Sequence, residues 1–116
     1  MTSHQTCDWI GNSGKRYNYY IHSLPTSIDP GQDGNYIYAK LNNQQQWIPV
    51  YVGEGDLADR SSSSHHQADC IRRKGATHFH CHLNASKQDR RSEEQDLLSN
   101  YQNAYQPNGC NEQLGG

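Results

Sequence analysis

The sequence predicts a single α+β domain, in which a small central antiparallel or mixed β-sheet is flanked by helices. The chain has 116 residues, the size of one ordinary domain. Short runs of alternating residues fill its first half, whereas cap residues and helical periodicity mark most of the second half. The predicted elements follow the order strand, hairpin, helix, strand, helix, which is typical of an α+β fold.

The composition predicts a small core that is rich in tyrosine. Leu, Ile, Val and Phe together account for 16 of the 116 residues, a fraction as low as that of many disordered chains. Disorder usually also requires a high net charge, and here the net charge is only −2. The 8 Tyr and 2 Trp residues replace the missing aliphatic area. We therefore expect a folded domain of modest stability.

Three strands are predicted in the first half of the chain. Residues 17–21 place aromatic and aliphatic side chains at alternate positions and form the first strand. After a turn-rich stretch, residues 35–41 and 47–53 form a hairpin around a polar loop of about five residues. Pro49 has no amide proton, so we expect the second hairpin strand to lie at a sheet edge or to contain a bulge.

Two helical segments are predicted after the hairpin. Asp56 is the expected N-cap of a single helical turn that ends at Arg60. Ser64 and Gln67 have the spacing of a capping box, which predicts a helix from Ser64 that stops at Gly75.

The last third of the chain predicts one strand and one longer helix. Residues 77–83 alternate in character and form the strand. The helix starts at Gln88 or Ser92 and ends near Ala104, before a proline and a glycine. Its apolar stripe has helical spacing and consists of Leu97, Leu98, Tyr101 and Tyr105.

Three histidines share one face of the predicted strand 77–83. Imidazoles at alternate strand positions converge enough to share a Zn²⁺ ion, but tetrahedral zinc takes a fourth ligand and no spacing identifies one. The alternative is an exposed strand face that carries histidines and binds no metal. The residues concerned are His78, His80 and His82.

The chain shows no sign of export or of membrane insertion. It has neither a signal peptide at its start nor a stretch of roughly 20 apolar residues. Its cysteines are scattered and form no C-x-x-C pair, which fits reduced thiols better than disulfides. We therefore expect a cytoplasmic protein that does not bind membranes. The four cysteines are Cys7, Cys70, Cys81 and Cys110.

A slightly acidic protein needs a local basic surface if it binds nucleic acid, because its net charge of −2 does not attract phosphates. Arg72, Arg73 and Lys74 form the densest basic run and are the predicted nucleic-acid-binding residues. The alternative is that these side chains are ordinary solvated charges.

Two short motifs lie on the two strands of the predicted hairpin. Residues 34–37 read Gly-Asn-Tyr-Ile, and residues 51–53 read Tyr-Val-Gly. This pair resembles the tripeptides that name the GIY-YIG nucleases. Asn35 stands where that family prefers an aliphatic residue, and Glu54 stands where many members have Lys.

Three further segments are similar to the same family. Residues 51–60 resemble its YVG…DL..R segment, with Arg60 in the place of the catalytic arginine. Residues 93–98 are similar to its metal-binding glutamate followed by two apolar residues. Residues 107–111 resemble its closing proline and asparagine.

The resemblance covers residues 34 to about 111 and implies an activity. Residues 34–116 are the predicted nuclease domain, and residues 1–33 are an N-terminal extension that adds one strand. The implied activity is an endonuclease that hydrolyses phosphodiester bonds of nucleic acid, with DNA as the expected substrate and Mg²⁺ or Mn²⁺ as the cofactor. The alternative is a catalytically degenerate module that binds nucleic acid or a protein partner without cleavage. Target choice would come from the extension, from a homodimer or from a targeting protein.

Glu94 is the expected metal ligand. Magnesium takes oxygen ligands and keeps several waters, so one carboxylate suffices. Glu94 lies three and four residues before Leu97 and Leu98 and therefore begins the inward stripe of the last helix. Glu93 remains the alternative, because a small shift in helix phase reverses the choice.

The resemblance also implies a set of catalytic residues. Arg60 would stabilise negative charge on the transition state. Tyr51 would lie near the attacking water, and a histidine past the arginine would carry a proton. His65 and His66 both lie in that region. The expected catalytic residues are Tyr36, Tyr51, Arg60, His65 (with His66 as the alternative) and Asn111.

Overall fold

A five-stranded antiparallel sheet organises the structure, a computed structural model in which residues 5–112 are described. The strands are β1 (Thr6–Ile10), β2 (Arg16–Ser23), β3 (Asp33–Leu41), β4 (Trp47–Asp56) and β5 (His78–Leu83). Their order across the sheet is β1-β2-β5-β3-β4, and each neighbouring pair is antiparallel. The helices are α1 (Leu57–Arg60), α2 (Ala68–Arg73) and α3 (Lys87–Asn100), followed by a 3₁₀ turn (Gln102–Ala104). The predicted α+β class is confirmed.

Both faces of the sheet are buried. Helices α1 and α2 pack on the face that carries Tyr36, Tyr38 and Phe79. Helix α3 packs on the opposite face, where Leu97 belongs to the same cluster as Tyr19. Tyr19 and Tyr36 are 0% and 1% exposed, so the prediction of a tyrosine-rich core is confirmed.

The hairpin of β3 and β4 places β4 at the edge of the sheet. Residues 42–46 form the connecting loop, as the sequence predicts. Pro49 pairs with Ala39, next to a register shift that follows Tyr38. The strand is therefore both at an edge and bulged, which leaves the missing amide of Pro49 without a penalty.

The N-terminal extension contributes two strands and not the single one expected. β1 pairs with β2, and β2 pairs with the central strand β5. Trp9 of β1 is 2% exposed and packs edge-on against Tyr101. β1 has no clear signature in the sequence, because only one of its five residues is fully buried. Residues 1–4 of the extension and residues 113–116 of the predicted nuclease domain lie outside the described range.

Helix α2 begins at Ala68 and not directly after Ser64, as the capping-box spacing predicts. The hydroxyl of Ser64 contacts Ser62 Oγ at 2.6 Å. The amide of Gln67 donates to Nδ1 of His65 at 2.9 Å. A local side chain thus takes the amide that starts the helix, and residues 61–67 form turns instead.

The other helix ends lie close to their predicted positions. The carboxylate of Asp56 accepts from the amides of Ala58 and Asp59, which confirms this N-cap. Gly75 follows α2 with φ 81°, a left-handed conformation that ends a helix. Helix α3 begins one residue before the predicted range, and the 3₁₀ turn takes the place of its predicted last residues.

The three histidines of β5 contact different partners. His80 is fully buried, and its Nδ1 accepts from Nε1 of Trp9 at 3.0 Å. His82 Nε2 contacts Glu93 at 2.6 Å, and His78 contacts the hydroxyl of the preceding threonine. Within residues 5–112, no group of three or more His, Cys, Asp or Glu side chains is placed to hold a metal ion. Because β5 is a central strand, these imidazoles lie against the core or at its margin and not on an open face.

A disulfide joins Cys70 of α2 to Cys110 in the C-terminal segment. The expectation of reduced thiols is therefore wrong for this pair, while Cys7 and Cys81 are free. No sequence pattern indicates this bond, because the two cysteines are 40 residues apart and meet only in the folded chain. No helix among residues 5–112 is long and apolar enough to cross a membrane.

We expect reduction of this disulfide to lower the free energy of unfolding by about 2–4 kcal/mol, because the bond closes a long loop in the unfolded chain. Urea unfolding with and without dithiothreitol measures the difference. The double variant Cys70→Ser/Cys110→Ser should match the reduced wild type and should not respond to the reductant. An equal midpoint for oxidised and reduced wild type contradicts the prediction.

Candidate active site

Two tyrosines from the paired motifs lie side by side. The rings of Tyr36 (β3) and Tyr51 (β4) are stacked, with centroids 6.0 Å apart and planes tilted by 20°. Tyr36 pairs with Gly53 across the hairpin. A Cβ atom on Gly53 would lie 2.4 Å from the hydroxyl of Tyr36. The glycine of the second motif is therefore required because the tyrosine of the first motif crosses its backbone.

His65 orients the hydroxyl of Tyr36. Its Nδ1 accepts from the amide of Gln67 at 2.9 Å, so the ring proton of the neutral imidazole lies on Nε2. That Nε2 lies 2.7 Å from Oη of Tyr36 and donates to it. Burial, aided by the charges of His66 and Arg60, lowers the pKa of His65 to about 4. His65 therefore stays neutral at physiological pH.

His66, by contrast, is exposed and adjoins the second tyrosine. Its ring stacks on His65, with centroids 4.6 Å apart. Its Nε2 lies 3.4 Å from Oη of Tyr51, at the long end of hydrogen-bonding distance. Since both nitrogens of His65 are occupied, His66 is the histidine that is placed to accept a proton from Tyr51.

Tyr51 remains a protonated phenol in the protein alone. Burial raises its pKa, and the charge of Glu94 raises it further. Arg60 and a hydrogen bond from Tyr36 act in the opposite direction but are smaller effects. Together with the contacts of the two histidines, the hydroxyls form a chain that runs from His65 through Tyr36 and Tyr51 to His66.

Arg60 carries a buried donor without a partner. It is the last residue of α1, and its Nε makes no hydrogen bond to any of residues 5–112. The guanidinium lies against Gly55, where an added Cβ would be 2.7 Å from Nε. Gly55 also has φ 140°, a conformation that other residues rarely adopt. A buried guanidinium N–H without an acceptor costs stability, and an anionic ligand would satisfy it.

Glu94 lines a cleft beside Tyr51. The cavity has a volume of about 410 Å³, and Asn111 also lines it. Burial raises the pKa of the Glu94 carboxyl to about 7, and the charge of Glu54 adds to this effect. Arg91 and Arg60 act in the opposite direction. A half-protonated, partly desolvated carboxyl is one that a cation would stabilise in its ionised form.

Glu93, the alternative metal ligand, faces a different environment. It is 5% exposed, and its Oε2 accepts from the hydroxyl of Tyr19 at 2.5 Å. The same oxygen contacts Nε2 of His82 at 2.6 Å. Glu93 therefore joins α3 to β2 and β5 and does not reach the cleft.

Asn111 fastens the C-terminal segment to the edge strand. Its Oδ1 accepts from the amide of Val52 at 2.8 Å, and its Nδ2 donates to the carbonyl of Val52 at 2.9 Å. The backbone of Cys110 adds a bond to the carbonyl of Val50. Both ends of the Asn111 amide are used, so this residue shapes the cleft.

Glu54 forms an ion pair that the sequence did not reveal. Its Oε1 accepts from Nε of Arg90 at 2.8 Å, and the two side chains are only 18% and 8% exposed. Arg90 also donates to the carbonyls of Asn84 and Ala85. The pair joins β4 to α3 beside Glu94.

The predicted basic run lies away from the cleft. Arg72 and Arg73 end α2, whereas Gln67, directly before this helix, lines the cleft. Arg72 pairs with Asp69, and Lys74 Nζ donates to the carbonyl of Pro107. These cations are thus partly engaged within the chain, and their contact with nucleic acid stays a prediction.

If the cleft holds a divalent cation, Glu94 is the carboxylate beside Tyr51 that would contact it. Magnesium is usually held by one or two carboxylates and several waters. Glu94 supplies such a carboxylate, and the nearby charge of Glu54 adds to the negative potential. Comparisons of the chain with protein-family models, curated proteins and solved structures found no match.

Two buried neutral histidines make the fold sensitive to acid. Burial lowers the pKa of His80 to about 3 and that of His65 to about 4, below the value of about 6.5 in the unfolded chain. The unfolded state therefore binds more protons between these values and pH 6.5. The stability that each neutral imidazole supplies is full above pH 6.5 and is lost as the pH falls towards its folded pKa.

Between pH 7 and pH 5, we expect the free energy of unfolding to fall by about 2 kcal/mol less in His80→Asn than in the wild type. The reason is that the variant has one fewer group to protonate on unfolding. Asn retains an acceptor near Nδ1 for Trp9. Urea unfolding at several pH values measures the slope, with the exposed His66→Asn as the matched control. Equal slopes for wild type and His80→Asn contradict the prediction.

Proposed function

We propose that this protein is a metal-dependent phosphodiesterase. More particularly, we propose a nuclease of the GIY-YIG type that hydrolyses DNA with Mg²⁺ or Mn²⁺. The observation that carries the proposal is a convergence of side chains. Four different elements supply these side chains: the stacked pair Tyr36 and Tyr51, Arg60 and Glu94. The buried Nε of Arg60 has no acceptor among residues 5–112, and the pKa of the Glu94 carboxyl is raised. Phosphodiester hydrolysis requires a proton acceptor, a cation for the phosphoryl oxygens and a metal ligand.

In the proposed reaction, water attacks phosphorus, the bond to the leaving oxygen breaks, and the leaving oxygen takes a proton from solvent water. Arg60 donates to the phosphoryl oxygens and so satisfies its free Nε. Tyr51 Oη accepts the proton of the attacking water as its own proton passes to Nε2 of His66, 3.4 Å away. His65 and Tyr36 hold the hydroxyl of Tyr51 in position. A metal ion at Glu94 would neutralise the charge that develops on the reacting oxygens.

A second candidate is a degenerate module that binds nucleic acid or a protein without cutting. The Glu54–Arg90 ion pair favours it, because it replaces a cation of the family with a committed carboxylate. The net charge of −2 also weakens general attraction to phosphates. The two candidates differ in their dependence on the tyrosine chain, since only catalysis needs its protons.

Cleavage of labelled single-stranded, duplex and branched DNA with Mg²⁺ or Mn²⁺ tests the proposal. We expect metal-dependent cutting that EDTA abolishes. Tyr51→Phe should lower the rate about 10²–10⁴-fold, since it removes only the proton carrier. Tyr20→Phe, on the exposed side of β2, is the matched control and should cut like the wild type. If no substrate is cut, or Tyr51→Phe is fully active, the binding module takes precedence.

A further inference from the structure

The cleft is larger than the proposed chemistry requires. A divalent ion with about four waters takes up roughly 120 Å³, at about 30 Å³ per water, and the scissile phosphate lies beside it. The cleft of about 410 Å³ therefore has room for a further part of the substrate. Leu98 and Ser99 also line it, one helical turn beyond Glu94 on α3. Tyr105, in the loop that follows, completes this part of the wall.

The chemistry of this outer part does not suit a second phosphate. None of the described residues that line the cleft is Lys or Arg, and two of them are Glu94 and Glu112. Carboxylates repel phosphate oxygens, so the substrate must place an uncharged group there. Leu98 and the ring of Tyr105 offer apolar surfaces, while Gln67 and Gln95 offer amide donors and acceptors.

The loop that holds Tyr105 is ordered by its own backbone. The amide of Tyr105 donates to the carbonyl of Gln102 at 3.1 Å, and the carbonyl of Tyr105 accepts from Gly109 at 2.9 Å. Asn111 pairs with Tyr105 in a short β-bridge. The backbone that carries the ring is therefore held in place, which reduces the entropy lost when a flat ligand stacks on the ring.

We propose that this part of the cleft is a nucleobase pocket that receives the base next to the scissile phosphate. The inference rests on the proposed nuclease function. The base stacks on Tyr105 and packs against Leu98, and its edge meets the amides of Gln67 and Gln95. Glu112, which accepts from Nε2 of Gln67 at 3.1 Å, is placed to accept from an exocyclic amino group. A base inside a duplex is stacked and paired, so the substrate is DNA with an unpaired nucleotide at the cut.

Binding of two small ligands tests the pocket without any cleavage. The probes are 2′-deoxycytidine 5′-monophosphate and the same sugar phosphate without the base. Titration calorimetry is done with Ca²⁺, which also takes oxygen ligands. We expect the wild type to bind the nucleotide about tenfold more tightly than the abasic compound, a ratio within the range of aromatic stacking on a base.

Variants locate the effect. Tyr105→Ala should lose most of the tenfold preference and keep its affinity for the abasic compound, whereas Tyr105→Phe should retain both. Tyr20→Ala, which lines a different cavity, is the control. Equal wild-type affinity for the two compounds overturns the pocket and leaves the phosphate site standing. Failure of both compounds to bind overturns the pocket together with the proposed function. The comparison of two ligands on the wild type stands even if Tyr105→Ala does not fold.

Discussion

Replacing Glu94 with Gln is expected to abolish metal-dependent cleavage and to make the metal-free protein more stable. Loss of a metal ligand removes several kcal/mol of transition-state stabilisation, which corresponds to about 10³-fold in rate. The gain in stability follows from the carboxyl pKa, which burial raises to about 7 in the folded protein. Above pH 7 the ionised carboxyl therefore destabilises the native state, and this cost fades as the pH falls towards the unfolded value of about 4.3.

The size of the stabilisation is about 1–2 kcal/mol at pH 8, a figure that is discounted because Glu94 retains some solvent contact. Thermal or urea unfolding in EDTA measures it, and a cleavage assay of the same preparation measures the rate. Glu93→Gln is the matched control. It should destabilise the protein, because Glu93 accepts hydrogen bonds from Tyr19 and contacts His82 in a buried position. If Glu94→Gln is less stable than the wild type and still cuts DNA, Glu94 is a structural residue.

Metal binding at Glu94 should also compete with protons. Because the carboxyl pKa is about 7, the apparent affinity for Mg²⁺ should fall about tenfold for each pH unit below 7. Calorimetric titration of the protein with MgCl₂ between pH 5.5 and pH 8 detects this slope. Glu94→Gln should lose both the binding and its pH dependence.

Replacing Arg60 with Ala is expected to lower the cleavage rate about 10²–10³-fold, the usual effect of removing one charge-stabilising donor. The reason is that Arg60 Nε is buried and has no acceptor among residues 5–112. Affinity for DNA should change much less than the rate, since the interaction strengthens only as charge develops on phosphorus. Single-turnover rates and anisotropy titrations separate the two effects.

The variant Arg60→Lys should regain only part of the cleavage rate that Arg60→Ala loses, because an ammonium group lacks the planar fork of a guanidinium. Gly55→Ala should also lower the rate, since an added methyl group would displace Nε of Arg60. Arg16→Ala is the control for a simple loss of charge, because Arg16 is an exposed residue at the start of β2. An Arg60→Ala variant that cuts like the wild type would remove Arg60 from the proposed mechanism.

Local patterns carried much of the fold. The hairpin was predictable because a polar loop separates two short apolar runs, and Pro49 indicated that β4 lies at an edge or contains a bulge. Asp56 marked the start of α1 and Gly75 marked the end of α2, since capping depends on a few neighbouring residues. The start of α2 was mispredicted because the side chain of His65, two residues before Gln67, accepts from the amide of Gln67.

The candidate site also combines features that the sequence shows with features that only the tertiary structure shows. The sequence by itself supplied the residue types of the candidate site, because the motifs Gly-Asn-Tyr and Tyr-Val-Gly and the later arginine and glutamates can be read directly. Only the tertiary structure decided between neighbours. Glu93 and Glu94 differ by about 100° around α3, and a small error in helix phase exchanges them. His65 and His66 are equally polar in sequence, yet one is buried and the other is exposed.

Contacts between distant residues were also decided by the tertiary structure alone. The Cys70–Cys110 disulfide spans 40 residues, and the Glu54–Arg90 pair spans 36. Neither has a periodic or local signature. Sequence patterns report the interactions of a residue with its near neighbours, whereas these contacts join elements that are distant in the chain, α2 with the C-terminal segment and β4 with α3. The residue types of the candidate site can therefore be read from the sequence. The hydrogen-bond and ion-pair partners of these residues, and their pKa values, depend on how the elements pack.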